Sequence, residues 1–400
     1  MKNKNRIYLC LAKMSDSGAE QHYIDEAFRT NWVAPLGPNV DGFEKDLEAF
    51  VNEIAGQARN DASLNKRVAA LSSCTAAIHL ALLQLGVGPG DEVLCQTFSF
   101  CASSNPVIYC GAKPVFVDSE ETTWNMSPEL LEQAIKDRMV KTGRKPKAII
   151  IVDLYGMPAD WDALEAIGEQ YDIPIIEDAA NALGSFYKGK PCGAFGALAT
   201  FSFNGNKMIT TSGGGALVCP DETSKQRAIY FATQARERCL YYQHEAIGYN
   251  YRMSNVCAGI GRGQMTVLEK HIAHHKHVCA LYAALLNGVE KVTVHEQPDE
   301  RCTAGDGREV PVFDSNYWLT TVTLGKGTDV MSVCEALGAA GIEARPLWKP
   351  MHLQPVFKDA PAYLNGVSES LFGSGLCLPS GPWVTDEDVR YIVDTLIKSI

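Results

Sequence analysis

The 400-residue chain has no excess of positive charge. Its 36 lysines and arginines stand against 47 aspartates and glutamates, a formal net charge of −11. Such a surface argues against nucleic acid or an anionic membrane as the main partner, while leaving room for a few local cations around a small anion. The chain also lacks any apolar run of 18 residues, so no membrane-spanning helix is expected. Its basic start, MKNKNRIYLCLAKMS, carries an apolar stretch only from Ile7 to Ala12, too short for the core of a secretion signal. Repeats and low-complexity tracts are missing. There are thirteen cysteines but no CxxC pair, and Cys95 and Cys219 sit in apolar runs. An odd, scattered set reads as buried reduced thiols, not a disulfide framework or a zinc site. These absences together point to a soluble, cytoplasmic protein.

What is present is ordinary globular material, 46% apolar and 21% charged, enough for a large core. From residue 67 onwards the pattern alternates. Seven apolar runs read as strands: VAAL (68–71), EVLC (92–95), PVFVD (114–118), KAIIIVD (147–153), PIIED (174–178), LATFSF (198–203) and GALVC (215–219). Helical stretches lie between and around them, at 21–30, 42–53, 76–85, 127–140, 159–171 and 226–237. Near-continuous apolar strands alternating with helices predict an α/β fold with a mixed, mostly parallel sheet of seven strands covered on both faces. One long helix is expected from Ser254 to Leu285. Beyond it, an apolar run at 316–324, a helix at 329–340 and IEARPLW (342–348) predict a smaller α+β unit. The expected division is an N-terminal arm at 1–20, a large unit at 21–270 and a small unit at 271–400.

The stretch ATFSFNGNKMITTSGGG, Ala199 to Gly215, organises the rest. A strand ends and Lys207 follows just beyond it, where ligands sit in open α/β sheets. A partly desolvated lysine is an amine nucleophile toward an aldehyde. Ser202 and Asn204 can hydrogen-bond an anion, and Gly213 to Gly215 let backbone approach a bound group. Upstream, SSCTAAIHLAL (72–82) follows a strand and opens a helix. Thr75 is the expected N-cap, with the amides of Thr75 and Ala76 free for a phosphate; His79 reads as packed. In CQTFSF (95–100), Phe98 is the candidate to stack on a flat ring. In PIIEDAANALGS (174–185), Asp178 closes an apolar strand, where a carboxylate needs a cationic partner such as a protonated pyridine nitrogen. Glu177 then points to the opposite face. A phosphate cradle, a stacking ring, an acid for a ring nitrogen and a lysine for an aldehyde are the parts that hold pyridoxal phosphate.

From about Tyr23 to Ile400 the chain resembles the sugar-nucleotide aminotransferases of the DegT type, with the aspartate-aminotransferase-like type I fold. The runs that carry this are SSCTAAIHLAL, EDAANALGSFYKGK, FSFNGNKMITTSGGG, GYNYRMSN and RPLWKPMH. TSGGG, TQARE and RPLWKPMHLQPVFKDAPAYLNG add a finer likeness to the UDP-sugar C4 aminotransferases of the bacillosamine branch. The resemblance implies a homodimer with both active sites at the interface. It implies that Lys207 binds the cofactor's aldehyde, Asp178 its pyridine nitrogen, and Phe98 its ring face. It assigns Thr75, Ala76 and Ser202 to the phosphate, Asn250 to the phosphate from the other subunit, and Asn181 to the phenolic oxygen. Many relatives have glycine at Cys74 and histidine or glutamine at Asn181. A relative with histidine in place of the lysine dehydrates its substrate, and Lys207 argues against that here.

Arg345, Trp348 and His352 lie in the stretch that faces substrate in relatives, and an arginine suits a diphosphate or a carboxylate. Trp32 and Tyr155 are further candidates. His271, His274, His275 and His277 have helical spacing; a solvated face is the expected reading, and no metal is expected. The activity implied is amino transfer from L-glutamate to UDP-4-keto-6-deoxy-N-acetylglucosamine, giving the UDP-4-amino-4,6-dideoxy sugar and 2-oxoglutarate. A perosamine-type or C3-amino aminotransferase, or a non-catalytic regulatory protein of the same fold, are the alternatives.

Overall fold

The computed structural model describes residues 6–52 and 65–400. All seven expected runs form strands of one sheet: β1 (Arg67–Leu71), β2 (Glu92–Gln96), β3 (Lys113–Val117), β4 (Ala148–Val152), β5 (Ile175–Asp178), β6 (Leu198–Ser202) and β7 (Gly215–Cys219). An eighth strand joins them from far along the chain, Ala362–Tyr363, pairing in parallel with β3. The sheet runs β1-β7-β6-β5-β4-β2-β3 and ends on Ala362–Tyr363. Only β7 runs antiparallel to its neighbours. Ile149, Ile150, Ile151 and most of their neighbours on adjacent strands are fully buried, as both faces are covered.

The helices that cover the sheet mostly begin on side-chain caps. Ser127 accepts from the Leu130 amide, Asp160 from Ala163 and Asp221 from Ser224. The helix expected at 42–53 spans Pro38–Val51; Glu53 lies outside the described residues. It starts earlier because Asn255 Oδ1 accepts from the amides of Asn39 and Val40, capping it from a distant helix. The helix expected at 226–237 spans Glu222–Ala232. Gln234 and Ala235 then take positive φ of 62° and 51°, which turns the chain out of the helix.

The single long helix is two helices, Asn255–Met265 and Leu268–Leu286. Between them Val267 has φ −120° and ψ 7°, and the Thr266 hydroxyl donates to the Gly263 carbonyl at 2.6 Å. The first of the two packs on Ala19–Arg29 through glycine. A Cβ on Gly263 would come within 2.5 Å of the Glu20 nitrogen.

The C-terminal unit has its own sheet, ordered Val292–Val294, Thr320–Leu324, Gly375–Leu378 and Arg345–Pro346. The helices Leu268–Leu286, Val330–Ala339 and Asp386–Ile397 pack around it over a core that includes Tyr282, Val322, Leu337 and Ile392. The chain crosses the expected unit boundaries twice. Ala362–Tyr363 returns to the large sheet. The N-terminal arm crosses to the C-terminal unit: the Ile7 amide donates to Gly341 O, the Glu343 amide to Ile7 O, and the Ser380 amide to Leu9 O.

Candidate active site

The carboxyl ends of β1, β2, β4, β5 and β6 point to one side, and the C-terminal unit closes over it. The cavity between them has a volume of about 410 Å³. Seven of the expected residues line it: Thr75, Asp178, Asn181, Ser202, Lys207, Arg345 and Trp348. Ser72, Ser73, Thr75, Ser202 and Asn204 supply short polar side chains, and Gly213 and Gly214 supply backbone without side chains.

Asp178 is 3% exposed and ends β5 inside the cavity. Burial pushes its carboxyl above the usual range. Against that act the Ser103 hydroxyl, donating to Oδ2 at 2.6 Å, and the Ala180 amide, donating to Oδ1 at 3.1 Å. Lys207 donates from Nζ to Asn181 Oδ1 at 2.6 Å. Loss of water around it draws its ammonium down to about 8, with nearby Asp178 among the groups that oppose this. Cys74 Sγ lies 3.5 Å from Thr200 Oγ1 and 3.9 Å from Asp178 Oδ1.

These residues fit pyridoxal phosphate. A buried carboxylate at the cavity floor suits a protonated ring nitrogen. A lysine with a depressed pKa, in the same cavity, keeps an unprotonated fraction able to meet an aldehyde. The hydroxyls and glycines suit a phosphate.

Other expectations are corrected. Ser73 is the N-cap of Cys74–Gln84, accepting from the Ala76 amide at 3.0 Å; Thr75 lies in the first turn, and the Ala76 amide is already engaged. Phe98 is fully buried in the core and does not line the cavity. Phe100 does, 55% exposed and 5.7 Å from the Trp348 ring. Strand pairing ends at Gln96, so the aromatic that reaches the cavity comes from the turn after it.

Tyr155 stands behind the wall, not on it. It is 4% exposed, and its hydroxyl accepts from the Trp348 amide at 2.9 Å. His352 links its Nδ1 to Thr97 Oγ1 at 2.7 Å and its Nε2 to Glu369 at 3.1 Å, so it ties segments together. Trp32 is exposed and does not line the cavity; Asn250, expected at a partner subunit's site, is exposed on this chain. Glu177 does face away from the cavity, accepting from the amides of Gly193 and Phe195.

The histidine row is not a solvated face. His271 and His275 are buried, bonded to the carbonyls of Met208 and Tyr317, while His277 pairs with Asp386. His79 is packed, 4.7 Å from the Tyr249 ring. All thirteen cysteines are free thiols. No helix among the described residues is long and apolar enough to cross a membrane.

Sequence reasoning missed Ser103, Phe100, Leu9 and Trp318. Leu9 and Trp318 reach the cavity from the arm and the C-terminal unit, and nothing local in their sequence marks them.

Known proteins of the same build set the class. EpsN of Bacillus subtilis (strain 168), named as a pyridoxal phosphate-dependent aminotransferase, is 44% identical over 399 residues, 98% of this chain and 95% of EpsN. The GDP-perosamine synthase of Escherichia coli O157:H7 is 34% identical over 389 residues, 97% of this chain and 98% of its own. A crystal structure of an aminotransferase from Brucella abortus superposes with a TM-score of 0.82 at 28% identity, covering 95% of each chain. The protein is a pyridoxal phosphate-dependent aminotransferase with the type I α/β fold. The match of residues 15–397 to the DegT/DnrJ/EryC1/StrS aminotransferase family then narrows the assignment: the chain belongs to that family.

Proposed function

We propose that the enzyme transfers the amino group of L-glutamate to C4 of a nucleotide-linked 4-keto-6-deoxy sugar. The first substrate to test is UDP-4-keto-6-deoxy-N-acetylglucosamine. The products are the UDP-4-amino-4,6-dideoxy sugar, as in the bacillosamine branch, and 2-oxoglutarate. The observation that carries this is Lys207 and Asp178 in one cavity whose mouth holds Arg345 and Trp348.

Pyridoxal phosphate, when bound, supplies an aldehyde for the amino group and a ring that takes up electrons. Asp178 would hold the proton on the ring nitrogen. Lys207 Nζ, whose pKa burial lowers to about 8, would take a proton from the amino-acid α-carbon and deliver it on the other side of the cycle. Thr75, Ser202 and the Gly213–Gly214 backbone would take the cofactor's phosphate. Phe100 takes the role proposed for Phe98, as the exposed ring on the lining. Arg345, whose Nη2 lies 2.9 Å from Glu343 Oε1, meets the diphosphate or the donor carboxylate.

A homodimer in the cytoplasm is part of the proposal. Leu240, Tyr241, Tyr242 and Ile247 are large, exposed and close in sequence to Asn250, which supports a partner subunit there. Similarity to GDP-perosamine synthase favours a second reading, in which the 4-keto-6-deoxy sugar is carried on GDP.

The test is an absorbance spectrum of the purified enzyme with pyridoxal phosphate. L-glutamate should bleach the long-wavelength band, and the UDP keto sugar should restore it. Restoration by the GDP sugar alone would transfer the proposal to the second reading. Restoration by a 3-keto sugar alone would reject C4 transfer.

A further inference from the structure

Two residues grip the Lys207 side chain. Nζ donates to Asn181 Oδ1 at 2.6 Å, and it lies 4.0 Å from the centroid of the Trp318 ring. Trp318 comes from the C-terminal unit and is 3% exposed. Its indole N–H donates to the carbonyl of Asn206, the residue beside Lys207, at 2.6 Å. Its backbone amide donates to Asn316 Oδ1 at 2.8 Å. The fully buried Asn316 also spends both Nδ2 hydrogens on the carbonyls of Asn181 and Leu183, each at 2.9 Å. One amide side chain therefore fixes both halves of the grip.

We propose that Trp318 is a positioning residue for Lys207, holding the ammonium form against its ring face whenever Nζ is free and carries a proton. This rests on the reading of Lys207 as the catalytic lysine.

The physical need is specific. A desolvated ammonium requires a negative potential close by. The ionisable groups facing Nζ are Asp178 and the thiols of Cys74 and Cys10. Asp178 is the group expected to neutralise the ring nitrogen, and burial keeps both thiols protonated. An aromatic face attracts an ammonium through its quadrupole but cannot take the proton from it. A carboxylate in the same place would hold the proton too tightly for transfer. The indole N–H to Asn206 keeps the ring in register with the lysine. Because Trp318 belongs to the C-terminal unit, the grip also needs that unit seated on the large sheet.

The experiment measures Lys207 in the full-length protein stripped of cofactor. The rate of modification by trinitrobenzenesulfonate is followed against pH and read on the Lys207 peptide by mass spectrometry. Trp318→Leu should lower the midpoint by about half a unit to one unit, the loss of a cation–π contact at constant burial. Trp318→Met, a second ringless variant, should do the same. Trp318→Phe keeps a ring face but not the N–H to Asn206, and should lower the midpoint by less than the ringless variants do. In the holoenzyme, the ringless variants should lose about tenfold in the rate of the glutamate half-reaction, without a matching rise in KM for glutamate. A midpoint unmoved in the folded ringless variants, or lowered equally in the Phe variant, overturns the proposal. Borohydride reduction of the wild-type holoenzyme separates the two ideas. A cofactor label on any lysine other than Lys207 defeats the catalytic reading, whatever the Trp318 variants show.

Discussion

Ser103 Oγ donates to Asp178 Oδ2 at 2.6 Å and meets Ser99 Oγ at 2.7 Å. A serine in the turn after β2 thus braces a carboxylate at the end of β5, two strands across. The bond favours the charged form of a carboxyl that burial pushes toward neutrality.

Ser103→Ala should therefore leave Asp178 neutral at higher pH than in the wild type. The acid limb of the kcat/KM profile moves to higher pH by about one unit, the loss of one charge-assisted hydrogen bond. Steady-state kinetics across pH checks it; an unmoved acid limb removes Ser103 from the site.

Arg345 is 63% exposed along its side chain and lines the cavity mouth beside Trp348. Arg345→Ala should raise KM for the nucleotide sugar by about ten- to a hundredfold, the effect of losing a charged hydrogen bond. The glutamate half-reaction should keep its rate. Stopped-flow bleaching with each substrate separately makes the distinction; a slowed glutamate step with an unchanged sugar step would assign Arg345 to the donor carboxylate.

His275 is fully buried, and burial draws its pKa down to about 3. The unfolded chain then binds a proton near pH 6.5 that the native state refuses. The stability held neutral by His275 is complete above about pH 6.5 and drains away as pH falls toward 3, with a slope of about 1.4 kcal/mol per pH unit. Urea unfolding at pH 7 and pH 5 measures this. His275→Leu should flatten the dependence.

A Cβ at Gly263 would lie 2.5 Å from Glu20 N and 2.7 Å from Glu20 Cα, which are backbone and cannot turn aside. Gly263→Ala should cost about 1–3 kcal/mol by forcing the N-terminal helix outward. A denaturant midpoint unchanged from the wild type would show that the helix moves freely.

The seven strands were legible because a sheet covered on both faces demands unbroken apolar runs. Lys207 and Asp178 were legible for the opposite reason, as ionisable residues placed where such runs end. The resemblance assigns Phe98 to the ring face; strand pairing stops at Gln96, past that point facing is set by a turn, and Phe100 reaches the cavity while Phe98 packs in the core. Ser73 and Thr75 are chemically interchangeable as caps, so only backbone geometry chooses between them. Trp318 was hidden because its partners, Lys207 and Asn206, are distant in sequence. Ala362–Tyr363 is too short to carry any period.

That two-residue strand also governs the order in which the molecule can be finished. It seats on β3 through the Phe116 amide to Pro361 O and the Asp118 amide to Tyr363 O, while Asp118 holds the amides of Gly366 and Ser368. During synthesis β3 is made early, and its outer edge stays unpaired until the chain beyond residue 363 emerges. A ribosome that stalls before that point releases a sheet with an open edge, ready to pair with another such chain. The full-length product closes the edge from within, so truncations of the C-terminal unit should aggregate and not merely lose activity.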